Sequence, residues 1–316
     1  MPQGGSSIFT DADGYQAILQ DILDLLVVQP RDFNARLTWA ELPDLQLLRA
    51  RESSARVGFM SLPPDRVFVS YASRPDSALS YGDFVLKSGE LMLHSRGERL
   101  HQRTTAACEW ASIAVTPVAL EATARALSGK TLVAPVASRV VHPRRADGRR
   151  LEQLHARACR LLERNLDTMF NREVVRALEH DLLWALITCL VNGTMRGDGH
   201  RPARRPDVLP AFEALLAKEP HRLLSAREIC ASLRVSEATL RAKCSVSLGM
   251  SPGRYQRLRR IKLVRAALLR TKSSSKEAVE NALVRYGFVG LHGFVTEYWG
   301  LYGEMPPIPP LVLPDN

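Results

Sequence analysis

The chain has no uninterrupted apolar run of about 18 residues, the length a helix needs to span a bilayer, although 46% of its residues are hydrophobic. Met1 to Thr10 is polar and has no basic stretch leading into an apolar one, so it does not read as a secretory signal, and the protein is expected in the cytoplasm, away from membranes. The 5 cysteines, Cys108, Cys159, Cys189, Cys230 and Cys244, are odd in number and far apart, with no C-x-x-C pair. That removes the common spacings for zinc or dithiol chemistry and leaves them as buried thiols acting as small apolar side chains. No P-loop, no GxGxxG cradle and no nucleophile–base pair is visible, and no solenoid repeat. The expectation is a protein that is not an enzyme and needs no metal or cofactor.

What the chain does have is length and an uneven charge. Its 316 residues suffice for two domains, each with its own core. Between Arg201 and Arg285 there are 19 Lys and Arg against 7 Asp and Glu, an excess slightly larger than the +10 of the whole chain. A basic segment attached to a nearly neutral remainder fits a protein that meets phosphate with one end only, which makes nucleic acid the first partner to consider.

The neutral part changes texture along its length. Tyr15 to Val28 has helically spaced apolar residues and reads as a short amphipathic helix. Leu45 to Ala114 breaks into short runs such as Val67–Tyr71 and Phe84–Leu86 between turn signals, the pattern of a small barrel or sandwich. Val118–Leu127, Leu151–Leu166 and Arg172–Val191 read as helices, the last with Leu178, Leu182, Leu183, Leu186 and Leu190 along one face. The apolar faces of the last two either pack within the domain or build a homodimer. Asn192 to Pro206, rich in Gly, Pro and Arg, reads as a linker between domains at 1–191 and 207–316.

In the basic part, Ser225 and Glu228 have capping-box spacing. A helix starting there carries Ile229 and Leu233 inward, breaks near Arg234 and Val235, and restarts at the N-cap Ser236. The second helix, Glu237 to Leu248, places Leu240, Cys244 and Leu248 on one face and Ala238, Arg241 and Ala242 on the other, before Gly249 stops it. Such a helix, turn and helix is the form that enters a major groove. Pro252 opens a third helix that interleaves Tyr255, Leu258, Ile261, Leu263, Val264 and Leu268 with Arg254, Arg257, Arg259, Arg260, Lys262 and Arg265. Arg257, Arg259, Arg260, Lys262 and Arg265 cannot all face a core, so several are expected to be solvated or near DNA phosphates. A second helix-turn-helix follows from Ser275 to Tyr302, with Ala278, Ala282 and Val284 in its first helix and a turn at Tyr286-Gly287-Phe288.

The order Ser236…Leu240…Gly249-Met-Ser-Pro252…Tyr255-Gln-Arg257, the basic helix, then Gly287-Phe288…Phe294…Tyr298…Tyr302-Gly303…Pro306 resembles the AraC/XylS transcription regulators over about a hundred residues. More loosely, Gly89 to Arg103 is similar to the cupin-type sensing domain of many members. The resemblance implies an α+β protein: an N-terminal cupin-like β-barrel with flanking helices for sensing and dimerisation, and a C-terminal all-α double helix-turn-helix domain. It implies double-stranded DNA as partner, a small-molecule effector, a second copy of the chain, and RNA polymerase if the protein activates. Carried over by position, the base-edge residues are Ala238, Arg241 and Ala242 in the first unit and Leu291, His292 and Thr296 in the second. Ser236, Thr239, Lys243, Arg257 and Arg260 complete the expected DNA-contact set.

The departures concern the second unit most. No Lys or Arg follows Arg285, and Gly290, Gly293 and Gly300 lie on or beside its recognition helix, where each interior glycine costs about 1 kcal/mol against alanine. The second unit is therefore expected to read DNA more weakly. In the first unit a cysteine, Cys244, stands where the family has an aromatic. For the N-terminal domain, Arg96, Arg99 and Arg103 could meet an anionic effector, and Arg96, Arg99 and His101 are the effector-site candidates. The alternative is a metal-dependent cupin enzyme fused to a DNA-binding domain, with His94, Glu98 and His101 as ligands, although the usual His-x-His pair is missing. Trp39, Tyr71 and Trp110 either line a pocket or fill the barrel, with the core the expected role.

Overall fold

The computed structural model describes residues 3–19, 21–28, 32–164, 171–195, 208–270 and 276–306. Two compact units emerge from its contacts, Met1–Leu25 with Asp32–Pro202 and Leu26–Arg31 with Ala203–Asn316. The first is α+β and the second is helical.

The first unit opens with strand β1 (Gln3–Phe9), helix α1 (Ala12–Ile18) and all but the last two residues of strand β2 (Ile22–Val27). The single helix expected from Tyr15 to Val28 is thus a helix followed by a strand. Asp11 caps α1 by accepting from the Gly14 amide at 2.6 Å, the helix stops at Leu19, and β2 joins a sheet. Apolar residues at Ile22, Leu25, Leu26 and Val27 satisfy a helical stripe and a buried strand alike, and pairing with distant strands decides between them.

The strands that follow are β3 (Ala35–Glu41), β4 (Leu45–Glu52), β5 (Arg56–Ser61), β6 (Val67–Ala72), β7 (Leu79–Tyr81), β8 (Phe84–Leu86), β9 (Leu91–Leu93), β10 (Arg99–Thr104) and β11 (Cys108–Val115). Then come α2 (Pro117–Ser128), β12 (Arg139–His142), α3 (Arg145–Arg164), α4 (Arg172–Asn192) and β13 (Thr194–Met195). They form an 8-stranded sheet in the order β1-β3-β4-β11-β6-β9-β12-β13 and a 5-stranded sheet in the order β2-β5-β10-β7-β8. The expected barrel is not closed; it is a pair of sheets whose strand order the short-run pattern does not specify.

Every residue of β6 is buried, because the sheet is covered on both faces. Val67, Val69 and Tyr71 join the core formed with α2, α3 and α4, including Leu151, Leu182 and Leu186. Polar links pin the helices to that face. Tyr71 hydroxyl meets His155 Nδ1, Thr38 donates to Glu163 at 3.0 Å, and the Asp44 amide donates to Glu179 at 2.6 Å. Burial pulls the His155 pKa down to about 3, so the ring stays neutral. On the other face Trp39 lies so close to β1 that a Cβ on Gly5 would come within 2.8 Å of the indole. Only glycine leaves room for that close approach.

Asn192 closes α4, and Thr194–Met195 pairs with β12, so the expected linker loses its first residues to regular structure. Its remainder, 196–206, lies outside the described residues, as do residues 165 and 166 at the expected end of α3.

The second unit consists of α5 (Val208–Lys218), α6 (Ala226–Leu233), α7 (Glu237–Leu248), α8 (Pro252–Arg270), α9 (Lys276–Arg285) and α10 (Leu291–Tyr302). Helix α5 carries Leu209, Phe212 and Leu216 into the core, with Pro210 in its first turn, where the missing amide costs nothing.

Candidate nucleic-acid interface

Local chemistry fixes the first helix-turn-helix. Ser225 and Glu228 form the full capping box at the start of α6. Arg234 then takes the left-handed conformation, φ 53°, and turns the chain. Ser236 caps α7 by accepting from the Thr239 amide at 3.1 Å. Gly249, also left-handed, ends it. Leu240, Cys244 and Leu248 are buried as their spacing requires, while Ser236, Ala238, Arg241 and Ala242 are exposed, and Thr239 and Lys243 half-buried. Cys244 is desolvated enough that its thiol pKa rises to about 12. Arg241 meets Glu237 at 2.6 Å, both mostly exposed. Such a surface pair on one helix is worth only about 0.3–0.5 kcal/mol, so Arg241 can exchange it for another partner.

Helix α8 departs from the solvated basic face expected. Tyr255, Ile261, Val264 and Leu268 are buried, and Gln256 clamps the entry to α6 by accepting from the Leu224 amide at 3.3 Å and donating to the Leu224 carbonyl at 3.2 Å. Several arginines have internal tasks. Arg259 pairs with the buried Glu213 of α5, and Arg257 pairs with Glu297 of α10 through two nitrogens. Arg265 donates to Tyr298 hydroxyl at 2.9 Å and reaches Glu304 at 3.2 Å. Arg260, expected at a phosphate, is buried with its guanidinium 5.0 Å from the Phe288 ring centroid. Burial and the neighbouring Arg257 lower its pKa. Arg254 and Arg270 remain exposed, as does Arg257 despite its pair.

The second unit packs around Phe288, Phe294 and Tyr298. In α9 the inward residues are Val279 and Leu283, whereas Val284 is exposed. Gly287, at φ 67°, makes the turn, and a Cβ there would stand 2.5 Å from Arg260 Nη2. The left-handed turn calls for glycine, and its bare Cα leaves room for the Arg260 guanidinium. Gly290, at φ 81°, is the N-cap of α10 and lies outside the helix interior. His292 and Thr296 are exposed and Leu291 is half-buried, with Thr296 hydroxyl donating back to the His292 carbonyl at 3.0 Å. Helix α10 itself carries no Lys or Arg, and its exposed outer face includes His292.

In the first unit two of the effector candidates, Arg99 and His101, share the Phe59 ring, and Arg96 lies apart. Arg96 is exposed and donates to the Pro64 carbonyl. Arg99 lies over the Phe59 ring at 5.2 Å, and His101 is buried against the same ring at 4.9 Å. His94 is buried, 3.1 Å from Ser70 hydroxyl and 3.8 Å from Glu98. Among the described residues no group of three His, Cys, Asp or Glu is placed to hold a metal ion, and no helix is long and apolar enough to cross a membrane. A cavity of about 500 Å³ lies elsewhere, bordered by Trp39, Phe68 and Trp110 on one sheet and Ile22 and Met60 on the other. Tyr71 and Trp110 are buried in the core, Trp110 also bordering this space, and the half-buried Trp39 lines it. The sequence signal for it is weak: two tryptophans on strands either side of β4 look the same whether they fill a core or wall a cavity.

No protein-family model and no curated protein matches this chain. Among solved structures it is similar to the AraC-like transcriptional activator CuxR, at 16% identity and a TM-score of 0.45, over 90% of this chain and 100% of that one. It is also similar to ToxT from Vibrio cholerae, at 12% identity and a TM-score of 0.29, over 84% of this chain and 97% of that one.

Proposed function

We propose that the protein is a sequence-specific DNA-binding transcription regulator of the AraC/XylS type, effector-responsive and without catalytic activity. The observation that carries the reading is α7, whose outer face of Ala238, Arg241 and Ala242 stands clear of its core while a capped, left-handed turn holds it against α6. A small exposed face with one cation fits a major groove, where arginine pairs with guanine and alanine tolerates a thymine methyl. The double signature around Pro252 and Gly287 supports the family. The protein is proposed to work in the cytoplasm as a homodimer through α3 and α4, contacting RNA polymerase if it activates.

The test is selection of bound duplexes from a randomised library by the full-length protein at physiological salt. Enrichment of a defined sequence is expected; binding without sequence preference, or none, overturns the proposal. Within that assay Arg241→Ala should relax the preference at one position by about 1–3 kcal/mol, and His292→Ala should do much less. Equal losses would mean that both units read bases to the same degree.

Phosphate contacts are separable from base contacts by salt. Arg254→Gln is expected to lower the slope of log K against log salt by about 1, as one phosphate contact should. Arg260→Met should leave the slope unchanged, because that guanidinium lies under Phe288. A drop with Arg260→Met would place this side chain on the DNA.

A further inference from the structure

The cavity between the two sheets has an unusual balance of groups. Its walls are apolar and aromatic, with Trp39, Phe68 and Trp110 on one side and Ile22 and Met60 on the other. Its charged members are Asp21, Glu41, Asp65 and Arg66, three acids and one base. Arg66 is partly used already, with Nη2 3.4 Å from Glu41, and Glu41 also accepts from Gln46 at 3.3 Å. Asp21 is in the least favourable place. Burial, then the nearby Asp65, pushes its pKa up to about 6, and Arg66 offsets this only in part. The lining holds more acid than base, with Asp21 half-buried and Glu41 and Asp65 exposed, and acids bordering an apolar space are a setting that a bound cation relieves.

We propose that this cavity binds an organic cation, an amine on an apolar body, with the ammonium at Asp21 and Asp65 and the body against Trp39 and Trp110. The size suits such a molecule, since small-ligand cavities are commonly about 300–1,000 Å³ with few polar groups among apolar walls. Indole faces add an attraction for cations that neutral or anionic ligands do not gain. An anion of the same shape would meet the acids directly. Arg66 Nη1 is buried with no acceptor, so an oxygen next to the amine would find a donor there. As the effector of the regulator this ligand rests on the function proposed above, but its binding does not require DNA.

The test uses the full-length protein without DNA and three probes that share one body: 3-phenylpropylamine, 3-phenylpropanol and 3-phenylpropionate. Calorimetry together with tryptophan fluorescence should rank them amine, alcohol, acid, with the amine at least tenfold tighter than the acid. Asp21→Asn with Asp65→Asn should bring the amine down to the level of the alcohol while circular dichroism stays unchanged, and Trp39→Ala should weaken all three. Acid binding as tight as amine, an amine affinity unmoved by the double variant, or no binding of any probe at millimolar concentration overturns the proposal. If the amine binds as expected and DNA selection fails, the ligand site stands and the regulator reading falls.

Discussion

Glu52→Ala should destabilise the N-terminal unit by about 3–5 kcal/mol, the cost typical of removing one partner from a buried ion pair. Glu52 ends β4 with its side chain fully buried beside an equally buried Arg56, whose Nε stands 2.9 Å from Oε2. The same carboxylate accepts from Tyr15 hydroxyl at 2.6 Å and from Trp110 Nε1 at 2.9 Å. Burial and Glu52 together hold the Tyr15 phenol well above its usual pKa, so it remains a donor. Alanine would leave a guanidinium without a counter-charge and two donors without an acceptor. Arg56 is already poorly served, since Nη1 and Nη2 have no acceptor and the group lies 5.5 Å from the Trp110 ring centroid. Replacing both charges, as in Glu52→Leu with Arg56→Met, should recover only part of the loss, because the apolar pair avoids the desolvation that the ions suffer while Tyr15 hydroxyl and Trp110 Nε1 still lack their acceptor. Urea unfolding followed by tryptophan fluorescence reads both effects. A loss under about 1 kcal/mol for Glu52→Ala would mean that water reaches Arg56 in this state.

The parts of the fold that were legible in the sequence are those encoded within four or five residues. The box at Ser225 and Glu228, the cap at Ser236, the stop at Gly249 and Pro252 at a helix start each act on their own backbone, and each stands in the structure as its chemistry requires. Elements decided by distant partners were not legible. Strand β1 has little apolar signal in Gln3–Phe9 and exists as the edge neighbour of β3, with Gly5 under Trp39. Strand β2 imitates a helix, and α3 starts at Arg145, ahead of the apolar stripe that marks it. Whether the sheets close into a barrel depends on strand order, which local alternation does not carry.

For the candidate site, exposure on α7 followed from spacing, but the division of labour among the arginines of α8 did not. A cation every two or three residues on an amphipathic helix looks like a wet face. In the folded unit Arg257, Arg259 and Arg265 each find a carboxylate, and Arg260 finds an aromatic ring. The carboxylates come from α5, α10 and the residue following α10's cap, all more than 35 positions away. Acidic residues so spaced give no local sign of their partners. The positive excess of this segment therefore overstates the charge free for phosphate.

Glu213→Ala tests that division most sharply. Glu213 on α5 is buried, accepts from Tyr255 hydroxyl and pairs with Arg259, which joins α5 to α8. It also lies near enough to Cys244 of α7 to raise that thiol's pKa after burial has done most of it. Loss of the carboxylate removes the charge that holds Arg259 and the acceptor of a buried phenol. Because Arg259 can still turn toward water, the expected cost is about 2–3 kcal/mol, below that of a fully buried pair. The packing of α5 against α7 and α8 loosens with it, so specific DNA affinity should fall at least tenfold while the salt slope, set by exposed cations such as Arg254, stays the same. Arg259→Gln should likewise lower the thermal midpoint and leave the slope in place. If Arg259→Gln lowers the slope by about 1 with no change in the midpoint, Arg259 faces phosphate and Glu213 merely neutralises it in the free protein.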